Sequence, residues 1–132
     1  MAVRPVCELM HALPSSVLPD EIAARALQRM RAEGVAVLPV LDYGELLGLV
    51  FEHDLAQLRA DALARRQVRD VMRGDPTEVP PWMAVGAVLR VMLAHRAEAA
   101  VVIDHGHLVG LFTLDDAARR CGSLLDEAAL RH

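Results

Sequence analysis

With 132 residues, a net charge of −4, 54% hydrophobic and only 3% aromatic residues, the chain can bury one sizeable core, built from Ala, Val, Leu and Met rather than from rings. Every basic residue is arginine, and no basic stripe interleaved with aromatics occurs, so the charge pattern argues against a nucleic-acid partner. No window approaches the ~18 apolar residues of a membrane span, and Cys7 and Cys121 lack metal or redox spacing, so the expectation is a cytoplasmic protein with reduced thiols and no membrane partner.

The chain opens with a short leading segment ending in methionine, Val6-Cys-Glu-Leu-Met10, followed by a proline turn and an extended stretch around Ser16-Val17. Pro19-Asp20-Glu21 places proline and acids where a helix start favours them. The stripe Ala23, Ala26, Leu27 and Met30 has helical spacing, and Gly34 is a stop. Two apolar runs, Val35–Leu41 and Leu46–Phe51, flank Asp42-Tyr-Gly-Glu45 and read as a β-hairpin. A second helix is expected over 52–66. The whole pattern then repeats: residues 6–55 lie over 68–117 at a constant offset of 62, without a gap. Met72 answers Met10, Val85, Val88, Leu89 and Met92 answer the first stripe, and Asp104-His-Gly-His107 answers the first turn. The last helix starts near Leu114. The expected architecture is α/β (α+β), β-α-β-β-α twice, with repeats at 1–66 and 67–132. Units this small depend on each other for burial, and the apolar excess suggests a further surface covered by a second copy, hence a homodimer. Arg65, Arg66, Arg69 and Arg73 read as a solvated junction. Gly48 and Gly110 are expected to permit close helix–sheet approach, and the methionine pairs to be packing residues.

The strand reading Leu38-Pro-Val-Leu-Asp42, the run Gly48-Leu-Val-Phe-Glu-His-Asp54 and their counterparts Ala100-Val-Val-Ile-Asp104 and Gly110-Leu-Phe-Thr-Leu-Asp-Asp116 resemble the CBS (cystathionine beta-synthase) domain. The tandem pair resembles a Bateman module over nearly the whole chain. The resemblance implies two units packed through their sheets with pseudo-twofold symmetry, clefts between them, adenosine-containing ligands such as AMP, ADP, ATP or S-adenosylmethionine, dimerisation, and regulation of an attached or partner protein.

The chemistry behind that implication is local. A hydroxyl at a strand end caps the helix that follows, and an Asp three residues on can accept both hydroxyls of a ribose. By resemblance, the better adenosyl site in the second repeat comprises Thr113 and Asp116, with Thr77, Val79, Ala100 and Val101. A weaker one in the first comprises Asp54, Ser15, Val17 and Pro39. Phe51 replaces the hydroxyl there, and is expected to fill the pocket or stack on a base. Thr113 and Asp116 also suit a helix cap and first-turn acid. The positions where many relatives carry a cation are Ala36, Val37, Glu98 and Ala99, which argues modestly against ATP; Arg96 lies near.

No cofactor is required by any motif, and no P-loop, nucleophile elbow or HExxH occurs, so the chain is not expected to be an enzyme. His105 and His107, beside Asp104 and near Asp115 and Asp116, form a metal-like cluster that reads more simply as an exposed turn. The leading expectation is a stand-alone regulatory CBS pair sensing an AMP-like or S-adenosylmethionine-like ligand, with an unidentified regulated protein as partner. The alternative is an oligomerisation or interaction module with vestigial clefts, in which Ala117, Cys121, Leu124 and Leu125 control assembly.

Overall fold

The computed structural model describes residues 4–12 and 15–120. After a short 3-10 turn, Val6–Glu8, come β1 (His11–Ala12), α1 (Ala23–Glu33), β2 (Val37–Asp42), β3 (Glu45–Phe51), α2 (Glu52–Ala56), α3 (Ala60–Arg65) and α4 (Val68–Val71). The second repeat supplies β4 (Thr77–Val79), α5 (Val85–His95), β5 (Ala99–Asp104), β6 (His107–Thr113) and α6 (Leu114–Arg120). Two compact units form, and they are not the two repeats. One is Ser15–Asp75; the other joins Met1–Pro14 to Pro76–His132. Each repeat gives its leading segment to the unit built from the other. The expected boundary at 66/67 marks where the pattern restarts, and the compact unit runs past it.

In the unit Ser15–Asp75, β2 and β3 form an antiparallel hairpin, and Val17 bridges Val40 in parallel. The α1 stripe Ala23, Ala26, Leu27 and Met30 is fully covered, packing with Val17, Leu38, Val40, Val50, Leu55 and Val68. In the other unit the sheet order is β1-β6-β5-β4, and α5 buries Val85, Val88, Leu89 and Met92 against Val6, Val79, Ala100, Val102 and Phe112. The apolar periodicities therefore mark the buried faces correctly in both repeats.

The leading segments are held by the same three backbone bonds in both units. Val68 N–H donates to Glu21 O at 2.8 Å, Arg69 N–H to Pro19 O at 2.9 Å, and Ala23 N–H to Arg66 O at 2.8 Å. Sixty-two residues apart, Val6 N–H donates to Met83 O at 2.8 Å, Cys7 N–H to Pro81 O at 3.1 Å, and Val85 N–H to Arg4 O at 2.9 Å. This pairing corrects the expected helix start. Pro19-Asp20-Glu21 does not open α1, because its backbone is used by residues 66–69; Ile22 is the N-cap.

The helix expected over 52–66 is also corrected, since it is broken between Ala56 and Ala60. Leu55, Leu58 and Leu63 all reach the same core. An unbroken helix would spread Leu58 and Leu63 about 140° apart around its axis, and the break brings both onto one surface. Gly34 does end α1, in the left-handed region at φ 70°. Its counterpart ending α5 is Arg96, at φ 54°.

Candidate functional site

The second repeat's strand-to-helix junction is built by β6 handing over to α6. Thr113 N–H donates to Asp116 Oδ2 at 2.9 Å, and Asp116 N–H donates to Thr113 Oγ1 at 3.0 Å. This reciprocal arrangement satisfies two backbone donors that the helix start would otherwise leave unpaired. Asp116 is 1% exposed. Its other oxygen, Oδ1, meets His11 Nε2, and the His11 side chain is 47% exposed. A buried carboxylate needs partners of this kind, since burial without them is costly. His11 arrives on β1, whose register sets His11 opposite Leu111 and Ala12 opposite Gly110. A Cβ on Gly110 would lie 2.7 Å from His11 O and overlap the Met10 sulfur. The glycine is thus required by the leading segment, not by a helix as the sequence suggested.

The first repeat repeats this plan with different chemistry. Arg73 forks onto Asp54, Nε to Oδ2 at 2.8 Å and Nη2 to Oδ1 at 3.0 Å. The guanidinium carbon sits 4.4 Å from the centre of the Phe51 ring, a cation–π distance. Arg73 is fixed along its backbone as well: Arg73 N–H donates to Leu49 O at 2.8 Å and Leu49 N–H to Arg73 O at 3.0 Å. Arg65, Arg66, Arg69 and Arg73 are all exposed, as expected, but Arg73 is also paired with Asp54, and the ring of Phe51 carries its guanidinium. Under the offset of 62, His11 corresponds to Arg73 and Asp116 to Asp54. Each leading segment delivers a side chain able to carry positive charge to the junction carboxylate of its unit. Sequence reasoning misses this pairing, although the alignment of His11 with Arg73 is its visible signal.

The other expected residues divide between two faces of their sheets. Thr77 pairs with Ala100 and Val79 with Val102 in parallel register, so these four point toward α5. Val79 and Ala100 are in the core there, and Thr77 Oγ1 lies 3.3 Å from His95 Nδ1. Val101, opposite Leu111, points the other way, as do His11 and Thr113. Thr113, Asp116 and Val101 therefore share a side with His11, whereas the Thr77, Val79 and Ala100 side chains point toward α5. In the first repeat Val17 is likewise a core residue, Ser15 Oγ bonds Glu33 Oε1 at 2.8 Å, and Pro39, buried and opposite Leu49, takes the position of Val101.

His105 lies on an exposed turn with Nδ1 2.9 Å from Asp104 Oδ1, and no group of three or more metal-ligating side chains occurs among the described residues. Among them, too, no helix is long and apolar enough to cross a membrane. Arg96 is exposed. Of the assembly residues named above, Ala117 is buried, whereas Cys121, Leu124 and Leu125 lie outside the described residues.

The family model for the CBS domain matches residues 6–61 and again residues 68–123. The chain belongs to the CBS-domain family. It is 28% identical over 107 residues to the CBS domain-containing protein YhcV of Bacillus subtilis, a match covering 79% of this chain and 76% of that protein. It is 30% identical over 106 residues to the inosine-5'-monophosphate dehydrogenase of Korarchaeum cryptofilum, covering 80% of this chain but 22% of the dehydrogenase. The chain thus spans about a fifth of that enzyme's length. Among solved structures, the CBS domain of a bacterial CNNM/CorC family Mg2+ transporter in complex with ATP superposes with a TM-score of 0.76 at 22% identity, over 95% of this chain and 87% of that one. The mixed α+β architecture of two repeats is therefore the CBS-pair fold.

Proposed function

We propose that this CBS pair is a regulatory, non-catalytic module that binds an adenosine-containing ligand at the Thr113–Asp116 junction. The observation that carries the reading is a buried carboxylate, Asp116, set in place by two bonds to Thr113 and covered on its remaining oxygen by one half-exposed side chain. A ribose offers two adjacent hydroxyls that can replace His11 on that oxygen. Asp54 is the weaker site, because both its oxygens are taken by an arginine that is also stacked on Phe51. The ATP complex of the transporter's CBS domain supports a nucleotide-class ligand. Glu98 and Ala99, ahead of the second strand motif, favour an AMP-like or S-adenosylmethionine-like compound over a polyphosphate. Binding regulates by favouring one conformation of the pair, which requires unequal affinity for the alternatives. The module acts in the cytoplasm as a homodimer, to which the apolar composition and the exposed Leu18, Tyr43 and Trp82 lend support, and it acts on an unidentified partner protein. Thermal-shift measurements with AMP, ATP, S-adenosylmethionine and NADH test the ligand: a rise with AMP or S-adenosylmethionine is expected, since a ligand at about 100 times its Kd adds about 2.7 kcal/mol. No rise with any of them at millimolar concentration overturns it.

A second reading has its own support. Both junction carboxylates already have partners within the chain, as they would in an interaction module whose ligand sites are vestigial. It predicts that Asp116→Ala leaves every binding property intact.

A further inference from the structure

The two junctions are equivalent in the repeat and differ, besides Thr113 against Phe51, in the side chain that the leading segment brings to the carboxylate. Asp54 faces Arg73, which is charged at every physiological pH, and its Oδ1 also lies 3.3 Å from Nδ1 of the neighbouring His53. Asp116 faces histidine, whose unperturbed charge change falls between about pH 5 and 8. We propose that His11 is the specificity-determining residue of the Asp116 site: its imidazolium competes with an incoming vicinal diol for Asp116 Oδ1, so that the site opens to uncharged ribosides as the pH rises through the neutral range, while the Arg73 pairing keeps Asp54 closed throughout. This rests on the adenosyl reading of Asp116 and adds to it which chain residue decides occupancy.

The surroundings single out this pair. On α6, the exposed Asp115 is paired with Arg119, which leaves Asp116 as the α6 carboxylate in contact with His11. On the leading segment, Arg4 pairs with Glu8, Nε to Oε2 at 3.2 Å. On β6, the titratable His107 lies at the far end of the strand, opposite Asp104. Glu98, before β5, reaches the same end of the sheet as Asp116 through its carbonyl, which accepts the Leu114 N–H at 3.0 Å. The His11 side chain is 47% exposed and that of Asp116 only 2%. An imidazolium makes a charge-assisted bond to the carboxylate, and a neutral ring makes a weaker one. A ribose diol, which cannot carry charge, therefore competes against a partner whose strength depends on pH.

The experiment uses the full chain and adenosine, a probe without a phosphate of its own to titrate. Its affinity is measured by calorimetry at about pH 5.5 and about pH 8.5, on either side of the histidine range, for the wild type, His11→Arg and His11→Ala. The wild type is expected to bind roughly tenfold more tightly at the higher pH, as a charge-assisted bond is replaced by a neutral one. His11→Arg is expected to bind weakly at both, as Asp54 does, and His11→Ala to bind equally at both. In parallel, the backbone amide signals of Thr113 and Asp116 are followed by NMR without ligand. They should move between the two pH values in the wild type and stay fixed in His11→Arg. A wild-type affinity for adenosine that is independent of pH overturns the proposal. If no form binds adenosine, the adenosyl reading fails, and the amide signals still decide the competition at Asp116: static signals in the wild type overturn it.

Discussion

Gly48→Ala places a methyl group where there is no room for one. The new carbon would overlap the Arg73 carbonyl oxygen and lie 3.2 Å from its carbonyl carbon and 3.4 Å from the Met72 sulfur. That oxygen is backbone, and it accepts the Leu49 N–H at 3.0 Å, so it cannot swing aside as a side chain would. If the strand and the leading segment separate slightly, the cost is that of overpacking, about 1–3 kcal/mol. If the segment detaches, the two Leu49–Arg73 bonds are lost at about 1 kcal/mol each, together with the Arg73–Asp54 fork. Side-chain exposures of 44% and 27% limit that fork to about 0.2–1 kcal/mol. The two estimates overlap at about 2–3 kcal/mol. With a urea dependence of about 2 kcal/mol per molar, the unfolding midpoint should fall by about 1–1.5 M. Gly86→Ala is the matched control. Gly86 lies in α5, where an added methyl group would meet nothing within 4 Å, so alanine there should raise stability by about 0.5–1 kcal/mol. A Gly48→Ala midpoint indistinguishable from wild type would show that the leading segment does not press on β3, and the account of both junctions would fail with it.

Two further outcomes are expected. Arg96→Gly, which relieves a non-glycine residue at φ 54°, should stabilise the protein by about 0.5–1 kcal/mol in the same urea assay; destabilisation would mean that the Arg96 side chain makes a contact stronger than the backbone strain. In a double-mutant cycle between Asp54→Ala and Arg73→Ala, the coupling should stay near or below about 1 kcal/mol. Arg73→Ala alone should cost about 0.5–1 kcal/mol more than Asp54→Ala, because it also removes the stacking on Phe51. Equal single costs would exclude that stacking as a contributor.

What the sequence reveals follows from which interactions are local. The α1 and α5 stripes and both hairpins are legible because a buried helix face and a two-residue turn are written in residues a few positions apart. The start of α1 is misplaced because Pro19-Asp20-Glu21 satisfies the local rules for a helix start, yet those residues bond to 66–69, a distant stretch. The single helix expected over 52–66 fails for a similar reason: no glycine or proline breaks it, and the break answers to the core beneath Leu55, Leu58 and Leu63. The reciprocal pairing of Thr113 with Asp116 is legible because a cap residue and a first-turn acid lie three positions apart. The partners of the two carboxylates are not, because neither His11 nor Arg73 belongs to the repeat whose motif it completes. The sheet faces separating Thr77 from Thr113 follow from register, which a motif match does not contain.

The crossed ownership of the leading segments bears on inheritance. Suppose two family members recombine at the natural-looking seam between the repeats, near residue 67. The hybrid then receives each acidic residue from one parent and the side chain facing it from the other. Parents with different choices at these two places would yield offspring whose junctions match neither, even though every motif in them is intact. Selection should therefore act on positions 11 and 116, and on 73 and 54, as linked couples across the seam.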